Sequence, residues 1–378
     1  MAINLRSPYY ISTSVATTAY ATLDITIWSG SVTSPPASQY SLRKNVVGSS
    51  VEVVFEISEL VRDYLDITFD GDYTGQTVWV QLAHTAYNSS DVVVYTNTGT
   101  SIAFDGYYYF EEGALPLDYI SLFISNRELF VLEDNTFRIP INTNNNPTVV
   151  FYKDGEVIAS ETFSSSTDSS NQIKYVSIYG DSVNWDTFQE RVIEANGTYE
   201  SNACLQSFFD NYSIGAVDKI TVSNDRGIET IKVNVIEECK YEPKKVTFIN
   251  KWGALQDMYF FKKAVEQMTI EKESYKSNII GSYAQYSRSN HVNRDFNVVG
   301  KESITLSSGF LSEEYNEVFK QMMLSEKVWV TNILETGEQV LPINVKTSDI
   351  TYKTSLNNKL VEYTIEFDKS FDTINNIR

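Results

Sequence analysis

Two histidines, His84 and His291, are the only imidazoles in a chain of 378 residues. A hydrolytic triad needs a base beside its nucleophile, most often histidine. His84 falls at the end of one strand-like run and His291 at the start of another, where an exposed or already satisfied imidazole is the plain reading. Cys204 and Cys239 are the two cysteines, and with two histidines they make no zinc pattern. They allow one bridge or a pair of reduced thiols. Asp70-Gly71-Asp72 hints at calcium but lacks the alternating acidic spacing and the distal glutamate of a calcium loop, so it reads as an acidic turn. No Gly-rich phosphate loop closes on Lys-Ser or Lys-Thr. Carboxylate pairs for glycoside hydrolysis meet in space rather than in sequence, and 49 acidic residues single out no pair. The residue types point to no catalytic site, no cofactor and no metal, and the expectation is that the protein is not an enzyme.

What remains is contact chemistry. The 49 acidic residues outnumber 30 basic ones, giving a net charge of −19. Such a surface repels DNA phosphates and anionic lipid, so sequence-specific nucleic-acid binding is not expected. Within this acidic chain the doublets Lys244-Lys245 and Lys262-Lys263 stand out, with Trp252 between them. They are candidate contacts to an acidic neighbour such as another copy of the chain; the alternative is a solvated face. Trp79 and Trp185 could stack on sugars, against the commoner outcome of burial. Three Asn-x-Ser/Thr triplets start at Asn88, Asn196 and Asn211 and read as chance. The N-terminal residues carry no secretory pattern, and no apolar run reaches the roughly 18 residues of a membrane span.

The elements that must position these residues are mostly strands. A 13% aromatic share, with 25 Tyr and 20 Phe, suits half-buried pleated surfaces. Residues 21–28 alternate apolar and polar at the strand period. Strands are also expected at 39–44, 51–57, 77–82 and 91–96. Ser58 caps a short helix carrying Leu60, Val61, Tyr64 and Leu65, and Asp105-Gly106 signals a hairpin before Tyr107. Residues 1–147 therefore read as an N-terminal β-sandwich-like domain with a short helix. The Asn-rich stretch 142–147, ending in Pro147, is the expected linker. A second β domain spans 148–243, with hairpin turns at Asp154-Gly155 and 224–227 and a short helical turn at 204–212. A C-terminal β-rich domain spans 244–378, with a bulge at Gly300 and a turn near Leu356.

One helix, 312–325, interrupts that last domain. Ser312 is its expected cap, and Glu313 and Glu314 favour the positive end of its dipole. Tyr315, Val318, Phe319, Met322 and Met323 make one apolar face, which places the Met pair in the core. In the final strand Val361, Tyr363, Ile365 and Phe367 form the buried set. The fold class expected is mainly β: tandem immunoglobulin-like sandwiches followed by a β-rich α+β domain with one amphipathic helix.

Three segments carry a resemblance. They are Asn4-Leu-Arg-Ser-Pro-Tyr-Tyr-Ile, Phe55-Glu-Ile-Ser-Glu-Leu-Val-Arg-Asp-Tyr-Leu, and Cys239-Lys-Tyr-Glu-Pro-Lys-Lys-Val-Thr-Phe-Ile-Asn-Lys-Trp-Gly-Ala-Leu-Gln-Asp. Together they resemble structural proteins of tailed bacteriophages, particularly of marine and Bacteroidetes-type hosts. The C-terminal domain 244–378, β-rich with one amphipathic helix, also looks like the ring-forming domains of phage tail and tail-tip proteins. The resemblance implies a virion subunit of the tail, tip or baseplate, made in the host cytoplasm, whose partners are copies of itself and neighbouring tail proteins. It implies no active site. The alternative is an adhesin module of the virion that binds a host-surface glycan.

Overall fold

The computed structural model describes residues 3–29, 32–47, 51–69, 77–113, 122–132, 137–143, 147–162, 172–181, 184–194, 199–201, 217–236, 238, 240–334, 337–352 and 360–374. The chain is mainly β, with several sheets and short helices. Cys204, Cys239, Asp70-Gly71-Asp72, the helical turn at 204–212 and the turn at Leu356 lie outside the described residues.

In the first segment the strand Tyr20–Trp28 alternates as its sequence requires, burying Ala21, Leu23, Ile25 and Ile27. It lies between Tyr40–Asn45 and Thr77–Tyr87 in a five-stranded sheet completed by Val93–Phe104 and Ile3–Asn4. The ladder of Tyr10–Ser14 with Glu52–Glu56 and the helix Ser58–Arg62 contribute Val53, Phe55, Ile57 and Val61 to the same core. Ser58 is not the cap but the first helical residue; the Glu56 carboxylate takes the amide hydrogen bonds of Ser58 at 2.8 Å and Tyr9 at 3.3 Å. The hairpin expected at Asp105-Gly106 is instead at residues 88–92. There the Asn88 side chain accepts from the amides of Ser90 at 2.9 Å and Val92 at 3.0 Å, and Asp91 turns left-handed. Gly106 is held by packing: a Cβ there would collide with the Asn4 amide.

The boundary expected at 147 does not separate the strand pairing. Glu128–Val131 pairs with Gly227–Val235, and Phe137–Thr143 pairs with Gln172–Asp181. One five-stranded and one four-stranded sheet result, and Ile139, Ile141, Val149, Phe151, Ile220 and Val222 share one core between them. The strands that flank the Asn-rich stretch, Phe137–Thr143 and Thr148–Lys153, therefore belong to the two sheets of one unit.

The third segment forms a seven-stranded sheet whose two edge strands are Leu255–Phe260 and Ala264–Lys276. A flat sheet of that size is about 29 Å wide, from six strand spacings. Residues 260 and 264 are four steps apart, a reach of about 14 Å at most. The sheet must therefore curl until its edges approach at that end. The helix Tyr315–Met323 packs on the curled sheet, placing Tyr315, Val318, Phe319 and Met322 against Phe248, Phe260, Ile304 and Phe367. The helix is shorter than the expected 312–325, because Leu311–Ser312 is drawn into a ladder with Leu360–Val361. Glu314 is the capping position and Ser312 is not. The buried set of the final strand is as its alternation predicts, with Val361, Tyr363, Ile365 and Phe367 inside.

Candidate functional site

The strands Ala264–Lys276 and Asn293–Ser307 form the longest hairpin of the described residues. At its base, Ser303–Ser307 also pairs with Thr364–Lys369, and Ile304 and Leu306 enter the core. Beyond Glu302 the ladder has two strands only, among the described residues. Thr373 donates its amide to the Gly300 carbonyl at 2.8 Å, and that crossing explains the glycine: a Cβ would meet Thr373 Oγ1 at 3.1 Å. The bulge expected at Gly300 is displaced to residues 296–299, where Asn297 is left-handed. Residues 269–276 carry the arm about 26 Å past the sheet, at 3.3 Å per residue.

The arm is wet on both faces. Met268, Ile270, Tyr275, Phe296 and Val298 are all exposed, Ile270 at 56%. Tyr275 and Phe296 meet edge to face at 5.6 Å, a small cluster in which both rings stay exposed. The outer edge of Ala264–Lys276 has no strand beside it among the described residues, so its amides and carbonyls face solvent. Such an edge is a template for pairing with another chain.

A second place of interest is the junction where three segments meet. The turn after the strand Lys244–Ile249 is tied by Asn250. Its side-chain Nδ2 donates to the carbonyl of Phe123 at 2.6 Å and to Gln256 Oε1 at 3.1 Å, while its Oδ1 accepts from the backbone amides of Trp252 and Ala254. Gly253 has φ +75, and a Cβ there would meet the backbone of Asp105 and Gly106 at 2.9 Å, so only glycine fits. Trp252 stacks on Phe123 at 6.0 Å. Lys251 pairs with Glu112, Tyr109 donates to Glu317 at 2.7 Å, and Lys320 lies 3.5 Å over the Tyr109 ring. Burial and the Glu317 acceptor both push the Tyr109 phenol well above its ordinary range. Asp105, beside the same turn, is pushed up by burial against the pull of Arg62, which it meets at 2.9 Å. A cleft of about 420 Å³ opens here, lined by Tyr109, Glu111, Glu112, Trp252, Glu317 and Lys320 among others.

The five expected contact residues separate. Lys245 is 1% exposed and inside the molecule, because both faces of the strand Lys244–Ile249 are covered. It is not part of a surface. Lys244 pairs with Glu242 at 2.8 Å and Lys262 with Glu238 at 2.6 Å, while Lys263 is exposed at the foot of the arm. Trp252 reaches the junction cleft. Of the tryptophans considered for sugar stacking, Trp79 is 3% exposed in the core, and the side chain of Trp185 is outside the description.

His84 is not at a strand end. It is buried mid-strand in Thr77–Tyr87, with Nδ1 3.2 Å from Thr13 Oγ1 and the ring edge-on to Phe55 and Tyr95. Burial pushes its pKa below the ordinary value. His291 is exposed near the end of the arm. Among the described residues no group of three or more His, Cys, Asp or Glu is placed to hold a metal ion, and no helix is long and apolar enough to cross a membrane.

Sequence reasoning missed the arm, because alternation along 264–276 looks the same whether or not a face is covered. Comparison with protein-family models, curated proteins and solved structures gives no match.

Proposed function

We propose that this chain is a structural subunit of a bacteriophage tail, tail tip or baseplate, and that it assembles into a ring with copies of itself and with neighbouring tail proteins. The observation that carries the reading is the arm. An isolated two-stranded hairpin is marginal in water, and this one leaves apolar side chains and a long backbone edge uncovered. Both are satisfied when another subunit lies against them. The phage assignment itself rests on the three sequence segments quoted above, and virion localisation goes with it. The immunoglobulin-like reading of the first two segments belongs to the same proposal and is supported by paired layers of strands around shared cores.

In this reading no bond is made or broken. The work is burial of apolar area and completion of a sheet edge by heterologous contacts, which close into a ring when the rotation completes. Native mass spectrometry and electron microscopy of the purified chain test it. Closed rings of one copy number are expected. Replacing residues 269–301 by Asn-Gly should leave monomers. A chain that stays monomeric at high concentration, alone and with its neighbouring tail proteins, would remove the proposal.

A further inference from the structure

The end of the arm differs in charge from the chain as a whole. Residues 276–294 contain Lys276, Arg288 and Arg294 and no aspartate or glutamate, a net +3 with histidine neutral. The whole chain is −19, so the rest carries −22. The arm holds this charge about 26 Å from the sheet, about three Debye lengths of about 8 Å, so the body does not mask it, although the arm's own Glu273 and Asp295 flank the stretch.

The end is also aromatic and shaped. Tyr283 is 96% exposed and Ile280 63%. Tyr283 and Ala284 are both left-handed, at φ 60 and 55, and Gly281 donates to the Gln285 carbonyl at 2.9 Å, closing a turn that holds the Tyr283 ring outward. Beside it Ile279, Ile280, Tyr286 and Val292 line an open groove of about 560 Å³ with Lys276.

The junction cleft has complementary features. Phe110 projects beside it, 99% exposed. Glu111 forms no ion pair among the described residues, whereas Glu112 is taken by Lys251. Trp252 and Ser125 are among the residues that line the cleft. Tyrosine and arginine are the residue types that carry most binding energy at protein interfaces.

We infer that the arm's end docks into the junction cleft of a second copy, setting Tyr283 against Phe110 and directing Arg288 to Glu111. This rests on the ring reading and names the surface that receives the arm. Because the two surfaces lie on different parts of the chain, the contact is head to tail.

Two measurements on the full chain test it. First, Tyr283 is replaced by the photoreactive residue p-benzoylphenylalanine. Crosslinks to residues 109–113 or 317–321 of another copy are expected. Crosslinks to other regions, or none, overturn the docking, while rings seen by microscopy keep the ring reading. Second, Arg288→Glu and Glu111→Arg are made singly and together. Each single change should weaken assembly about 10-fold, and the double change should restore it. Singles that assemble like the parent, or a double no better than either single, overturn the docking. Circular dichroism checks that each variant is folded, and both sites are exposed, so folding should be unaffected.

Discussion

Two of the long antiparallel hairpins among the described residues have opposite circumstances. The first, Thr77–Tyr87 with Val93–Phe104, has the strand Tyr20–Trp28 beside its inner strand along nearly its whole length. Its inner face closes over Val53, Phe55 and Leu23. The second, Ala264–Lys276 with Asn293–Ser307, has such a neighbour only over Ser303–Ser307. The residue chemistry differs, since the strands of the first hairpin carry no Asp, Glu, Lys or Arg and those of the second carry nine. The third strand differs as well. Beside that strand Val78, Val80, Ala86 and Ala103 are core; beyond it Met268, Ile270, Tyr275 and Phe296 stay exposed.

The sharpest separation between the two hairpins comes from truncating one apolar side chain in each setting. Leu23→Ala, against the first hairpin, should cost about 2–5 kcal/mol in chemical denaturation. Ile270→Ala on the arm should change monomer stability by less than about 0.5 kcal/mol. Equal losses would show that the arm is as well packed as the first sheet. Replacing residues 269–301 by Asn-Gly should shift the monomer's unfolding free energy by no more than about 1 kcal/mol, since a lone hairpin adds little. A large loss would make the arm part of the core.

The buried imidazole offers a comparison by pH. His84 is held neutral in the folded chain, while the unfolded chain protonates near its ordinary value of about 6.5. The stability of the first hairpin is therefore full above that pH and falls as pH drops through it. His84→Asn should flatten the dependence between pH 7 and 5, measured by denaturant midpoints. The smallest effect belongs to the arm's own ion pair. Glu271→Ala removes the partner of Lys301 at 3.2 Å and should cost no more than about 0.5 kcal/mol.

Much of this was legible from residue order. The final strand's buried set and the helix face of Val318, Phe319 and Met322 follow from periods of 2 and 3.6, because each has one covered side. Legibility failed where covering depends on distant chain. Lys245 reads as a surface lysine, yet its strand is overlaid on both faces by segments remote in sequence. Ser312 reads as a cap, yet its backbone is claimed by Leu360–Val361. Asp105-Gly106 reads as a turn, yet the glycine is there to clear Asn4. The boundary at 147 failed for the same reason, since Glu128–Val131 finds its partner about a hundred residues later. For the arm, a usable signal was present: a cationic stretch without carboxylates in an acidic chain.

The three residues that join Phe260 to Ala264 give the protein a mechanical character. The arm and the opposite rim of the curled sheet are one continuous thread. A pull on the arm's end runs along Asn293–Ser307 into its ladder with Thr364–Lys369, whose hydrogen bonds lie across the direction of load. They must shear together instead of unzipping singly. An assembly joined through such arms would transmit tension from subunit to subunit through its sturdiest sheet.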